Sequence, residues 1–193
     1  MDGYAITLSQ EMTSASANLK TPLGTLIFSV IADRDMSSAD EVSVEIITIS
    51  PELPLGMSVE SCSAGLLSAR FSAPITTLQF LCQWEHAANR GDPNSGEGLD
   101  AQSWEDDNHI VMVGTEDADF LSARLPSLKI CIEDEPVEYL SDGFSISLPR
   151  IPAHRPISLQ FVVATNVIPE SVDDSVWFAV DIPHARLLEK AKE

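Results

Sequence analysis

Nine carboxylates fall between Asp92 and Asp119: Asp92, Glu97, Asp100, Glu105, Asp106, Asp107, Glu116, Asp117 and Asp119. From Arg90 to Arg124 no Lys or Arg intervenes. Carboxylates in a Gly- and Asn-containing stretch are oxygen ligands for hard cations, so calcium is the first chemistry to test. An EF-hand loop needs oxygen donors at its first, third and fifth positions, glycine at the sixth and glutamate at the twelfth. Counted from Asp92, the third position is Asn94, but the fifth is Gly96 and the twelfth is Ser103. The spacing fails. Adjacent acids such as Glu105, Asp106 and Asp107 point apart on an extended chain, which weakens any other calcium site.

Other chemistries fail on residue type or spacing. The histidines, His86, His109, His154 and His184, are scattered, and "CQWEH" (82–86) is the one close Cys–His pair. Zinc sites need two such pairs at ligand spacing. Gly91 and Gly96 have the spacing of a phosphate loop, but Glu97 stands where that loop needs lysine and would repel phosphate. No Gly-x-Ser-x-Gly elbow is present. In a chain with thirty acids, paired carboxylates arise by chance and do not indicate glycosidase chemistry. "RGD" (90–92) matches an integrin-binding tripeptide in letters only. The chain is therefore expected to be no enzyme and to need no metal or cofactor.

Eleven Lys and Arg against thirty Asp and Glu give a formal charge of −19. That sign repels nucleic acid and anionic membranes and attracts basic proteins. No lysine–arginine cluster interleaved with aromatics appears, so nucleic-acid binding is not expected. "MDGYAITLSQEMTSA" has no basic leader or long apolar run, and no window approaches a membrane span. Cys62, Cys82 and Cys131 are odd in number and far apart, which suits free thiols in a reducing compartment. The expected location is the cytoplasm.

The elements that must position the acids read as strands. "LKICIE" (128–133), "FSISL" (144–148), "ISLQFVV" (157–163) and "VWFAVDI" (176–182) alternate apolar and polar residues, the period of a half-buried strand. "GTLIFSVIA", "EVSVEIITI", "LLSARFSA", "ITTLQFLCQW" and "HIVMVG" are more apolar and predict central strands, with "YAITLS" (4–9) as a further candidate. Breakers such as "SPELPLG" (50–56), "SDG" (141–143) and "LPRIPAHRP" (148–156) separate them. Short connections imply antiparallel pairing. Helices are predicted only after Thr115, over "EDADFLSARL", and at "PHARLLEKAK" near the C-terminus. With no repeat and no linker, residues 1–193 read as one domain. It is all-β: an antiparallel two-sheet sandwich of about ten strands with one or two short accessory helices. Residues 86–108 lack periodicity and predict a long acidic loop.

Trp84 is expected to end a strand in the core. Trp104, among polar residues, is expected at the surface as an aromatic anchor, with Phe120 just beyond the neighbouring acids. A second acidic set, Glu133, Asp134, Glu135 and Glu138 in "EDEPVE" (133–138), predicts a hairpin turn. If both sets share a face, they form one negative surface for a basic partner. These observations favour an acidic cytoplasmic inhibitor, concretely an immunity protein or antitoxin that occludes a basic toxin such as a nuclease. Two alternatives are a structural subunit of a larger assembly, and a ligand-binding sandwich in which Trp84, Trp104 and Tyr139 stack on a carbohydrate or small molecule.

Overall fold

The computed structural model describes residues 12–86, 89–96, 98–168 and 174–191. Two antiparallel sheets pack face to face, as the alternation predicts. One holds β1 (Met12–Thr21), β2 (Gly24–Ala32), β5 (Ile75–Trp84), β10 (Gly143–Ile151) and β9 (Val137–Leu140), in that spatial order. The other runs β3 (Glu41–Thr48), β4 (Ser61–Arg70), β11 (Ile157–Val167), β8 (His109–Glu116), β7 (Leu99–Glu105), β6 (Asp92–Gly96). Between them lie Phe28, Phe80, Phe144 and Phe161, all fully buried. They come from alternate positions of β2, β5, β10 and β11, so the period-two pattern built this core.

A third layer covers the outer face of the six-stranded sheet. Helices α2 (Ser175–Val180) and α3 (His184–Lys190) bury Val176, Ala179, Val180 and Leu187 against Cys62, Ala64, Ala101, Met112 and Ala164. Small residues on the strands let α2 approach closely. A Cβ on Gly114 would meet Val180 Cγ2 at 2.8 Å. β4, β8 and β11 are therefore buried on both faces over most of their length, β11 including the polar side chains of Gln160 and Thr165. β3, although equally apolar, is an edge strand with alternately exposed positions.

Several sequence expectations need correction. The segment 86–108 is not one long loop: β6 and β7 form a hairpin within it. Its period was hidden because β7 is buried on both sides, with polar Gln102 pointing into the inter-sheet core. β6, "DPNSG", is an edge strand and so tolerates Pro93. "VWFAVDI" is mainly helix, since Val176, Ala179 and Val180 share a face at helical spacing. "LKICIE" has no strand partner. It joins two 3₁₀ turns, Pro126–Leu128 and Ile132–Asp134, through Lys129 in left-handed conformation (φ 51°). "EDEPVE" is accordingly no hairpin turn: Glu133 and Asp134 lie in the second of these turns, Glu135 just after it, and Glu138 in β9. The hairpin predicted at "SDG" is present between β9 and β10. β1, too polar to be predicted, pairs along the whole of β2, while "YAITLS" lies outside the described residues. Both predicted helices exist. α1 (Ala118–Arg124) is capped by Asp117, whose side chain accepts from the Phe120 N–H at 2.8 Å, rather than by Thr115.

Candidate partner-binding end

Strand register divides the carboxylates. Glu105 pairs with Ile110 at one end of β8, and Leu99 with Glu116 at the other. Six residue steps along β8 separate Ile110 from Glu116, about 20 Å. Asp92, Glu105, Asp106 and Asp107 therefore gather at one end of the sandwich. Glu116, Asp117 and Asp119 belong to the other, where α1 touches the 3₁₀ turn bearing Glu133 and Asp134, with Glu135 next to it. The two acidic sets do not share one face. Glu97 lies outside the described residues.

At the first end, Trp84 closes β5 and Trp104 approaches the end of β7. Their rings meet edge to face, 5.6 Å apart at 76°. Both are 5% exposed. Trp104 is thus a core residue and not a surface anchor, because β7 turns it toward the opposite sheet. Gly91 packs so closely on it that a Cβ would meet Trp104 Cε2 and Gln102 Cγ at 2.6 Å. Among the described residues the indole N–H groups of Trp84 and Trp104, and Gln102 Oε1, have no hydrogen-bond partner.

The β7–β8 turn is held by Asp106. Its Oδ1 accepts the N–H groups of Asn108 and His109, each at 2.7 Å, and its own N–H bonds His109 O at 3.0 Å. Those backbone donors hold its carboxyl below the usual range, so it stays charged. Glu105 and Asp107 project into solvent on either side. Two acids the sequence reading missed join them. The Glu85 backbone N–H donates to Thr25 O, and the Asp142 backbone carbonyl accepts the Trp84 N–H. Both follow strands in turns, which was the available signal. Among the described residues, Glu85, Asp92, Glu105, Asp107 and Asp142 form no ion pair with Lys or Arg, and Asp106 has only His109 at 3.7 Å. A pocket of about 190 Å³ opens here, lined by Leu23, Trp84, His86, Trp104, Glu105 and Asp106 among others.

At the second end the carboxylates are mixed with arginines. Arg124 donates Nε and Nη2 to Glu116 at 2.9 and 2.6 Å and Nη1 to Ser158 O at 3.0 Å. Arg34 pairs with Asp40 at 2.8 Å. Ser37 and Ser72 backbone N–H groups, with that arginine, hold the Asp40 carboxyl well below its ordinary range. Asp119, Glu133, Asp134 and Glu135 remain exposed there, as does Phe120 at 57%. Asp100 stands apart: it accepts the Tyr139 hydroxyl at 2.6 Å, bridging β7 to β9 across the sandwich edge. Burial raises its pKa against that hydrogen bond, and Asp117 raises it further. With Tyr139 so engaged and both tryptophans buried, the three aromatics form no open stacking platform.

One constellation escaped the sequence reading entirely. Ser158 Oγ lies 2.8 Å from His184 Nε2, and His184 Nδ1 bonds Gln160 Oε1. The Thr115 hydroxyl donates to Gln160 O at 2.9 Å. Ser158 and His184 border the open groove of about 870 Å³ beside α3. The order resembles a serine–histidine–acid triad, but a neutral amide replaces the carboxylate that would stabilise an imidazolium. Burial, then the Arg124 charge, lowers His184 to about 4. The array therefore holds a neutral histidine with both ring nitrogens satisfied.

Among the described residues no three His, Cys, Asp or Glu side chains come together as a metal site, and no helix is long and apolar enough to cross a membrane. Burial pushes the Cys62 thiol up to about 12 and raises that of Cys82 as well, while Cys131 is exposed. Comparison with family models, curated proteins and solved structures finds no match for this chain.

Proposed function

We propose that this chain is an acidic binding protein that inhibits a basic protein, and that the tryptophan end is the surface it presents. The concrete form is an immunity protein acting in the cytoplasm on a toxin whose substrate is nucleic acid. An enzyme that handles nucleic acid keeps a cationic groove, and a fixed array of carboxylates competes for it by the same electrostatics that bind phosphate. The observation that carries the reading is the absence, among the described residues, of any arginine or lysine counter-ion for Glu85, Asp92, Glu105, Asp107 and Asp142. Uncompensated charge steers an oppositely charged partner and raises its association rate.

The test begins with affinity capture from the native cell and identification of the partner by mass spectrometry. Stopped-flow association then compares the natural chain with Glu105→Gln/Asp106→Asn/Asp107→Asn. The expected result is a basic partner whose association slows roughly tenfold in the variant, with a flatter salt dependence. A comparison variant, Glu133→Gln/Asp134→Asn/Glu135→Gln, should slow it less. A partner without basic character would sink the inhibitor reading. Slowing confined to the comparison variant would remove the tryptophan end as the interface.

A further inference from the structure

We propose that the pocket between the tryptophans and the β7–β8 turn receives one lysine or arginine side chain of the basic partner. This rests on the reading of the acidic end as the interface, and it reverses the role that the sequence suggests for Trp104. The tryptophan does not insert into a partner; it lines the receptacle.

Size is the first argument. A volume of about 190 Å³ is below the roughly 300–1,000 Å³ of pockets that enclose drug-sized ligands. It suits a single long side chain. Lining is the second. Leu23, Trp84 and Trp104 supply apolar surface against which a methylene stem packs, and Glu105 and Asp106 border the pocket at the exposed turn, where their negative charge favours a cationic head at the rim. Long basic side chains divide in this way, burying the stem and leaving the charge among polar groups. Indoles also attract cations directly.

Rigidity is the third argument. Asp106 is fixed by two backbone N–H groups, and its charge is maintained by them. Trp104 is pinned by Gly91 and by the Trp84 ring. A site fixed before binding loses little conformational entropy when filled. Trp84 and Trp104 also keep buried indole N–H groups without an acceptor among the described residues, a costly state in a closed core. The carboxylates select against an anionic occupant, and the apolar lining against a bare metal ion.

The experiment uses the full chain labelled with ¹⁵N. The indole N–H signals of Trp84, Trp104 and Trp177 are assigned by single Trp→Phe variants. The probe is the capped tripeptide acetyl-Gly-Lys-Gly-amide, with its neutral norleucine counterpart as control. Seating of lysine should shift the Trp84 and Trp104 signals saturably and leave Trp177 still, and the norleucine peptide should shift neither. Glu105→Gln/Asp106→Asn should weaken the lysine peptide roughly three- to tenfold. Asn at 106 keeps the side-chain oxygen that holds the turn. Unmoved tryptophan signals, or equal shifts with norleucine, would overturn the proposal. The two readings also fail separately. If the tip amides slow the natural partner while the tripeptide leaves the indoles unmoved, the acidic interface stands and the pocket falls. If lysine seats but the captured partner is not basic, the pocket stands and the inhibitor reading falls.

Discussion

The arginine end and the tryptophan end of this sandwich use the same residue type in opposite ways. Near α1, Glu116 grips Arg124 through two guanidinium nitrogens, and Asp40 is met by Arg34 and by backbone donors. Those carboxylates hold connections to the sheets. At the tryptophan end the acids sit on turns and strand ends beside a compact aromatic pair, and most have no ionic partner within the described residues. Neutralising Glu116 or Asp40 should therefore cost stability, whereas Asp119, Glu133, Asp134 and Glu135 at the same end are exposed and form no ion pair among the described residues. Removing charge from the second end should cost association rate. Net charge alone could not have distinguished the two, since each end contributes acids to the same total.

The sharpest way to break this contrast is Arg124→Met. It strands a largely buried Glu116, whose side chain is 13% exposed, and should lower unfolding free energy by about 2 kcal/mol in urea titration. A loss of a few tenths would mean that the arginine end is not held by its ion pairs. A smaller effect concerns His184. The unfolded chain binds its proton near 6.5, but the folded chain only near 4. As pH falls between those values, the unfolded state is protonated first, so stability declines across that window and stops declining below it. The difference from His184→Gln should reach roughly 1–2 kcal/mol at the acid end. Parallel pH profiles for the two proteins would refute the account of the buried network. The smallest expected effect is at the tip. Glu105→Gln/Asp106→Asn/Asp107→Asn should change unfolding free energy by less than about 0.5 kcal/mol. A large loss in the same melts would place these acids with the structural ones.

How legible this was depended on which forces each residue reports. β2, β5, β10 and β11 announced themselves, because one face of each meets the phenylalanine core. β7 did not, because Gln102 occupies a core position and Ala101 and Trp104 are buried on opposite faces. "VWFAVDI" shows the converse: an apolar run this short fits either period, and packing onto Gly114 and the small residues around it decided for helix. The acids of the site were plain from their side chains. Their division between two ends was not, since it follows from cross-strand register, and register links residues far apart in sequence. The tryptophan pairing and the Ser158–His184–Gln160 network belong to the same class. Each joins segments that no local pattern relates.

Pro93 adds a consequence for how this molecule can meet others. It lies in β6, the outermost strand beside the tryptophan end, and it has no backbone N–H to offer. An incoming strand could not complete a hydrogen-bond ladder along that border. Growth of the sheet into a neighbouring chain is obstructed there, which leaves end-on contact through turns as the geometry open to a visitor at that corner.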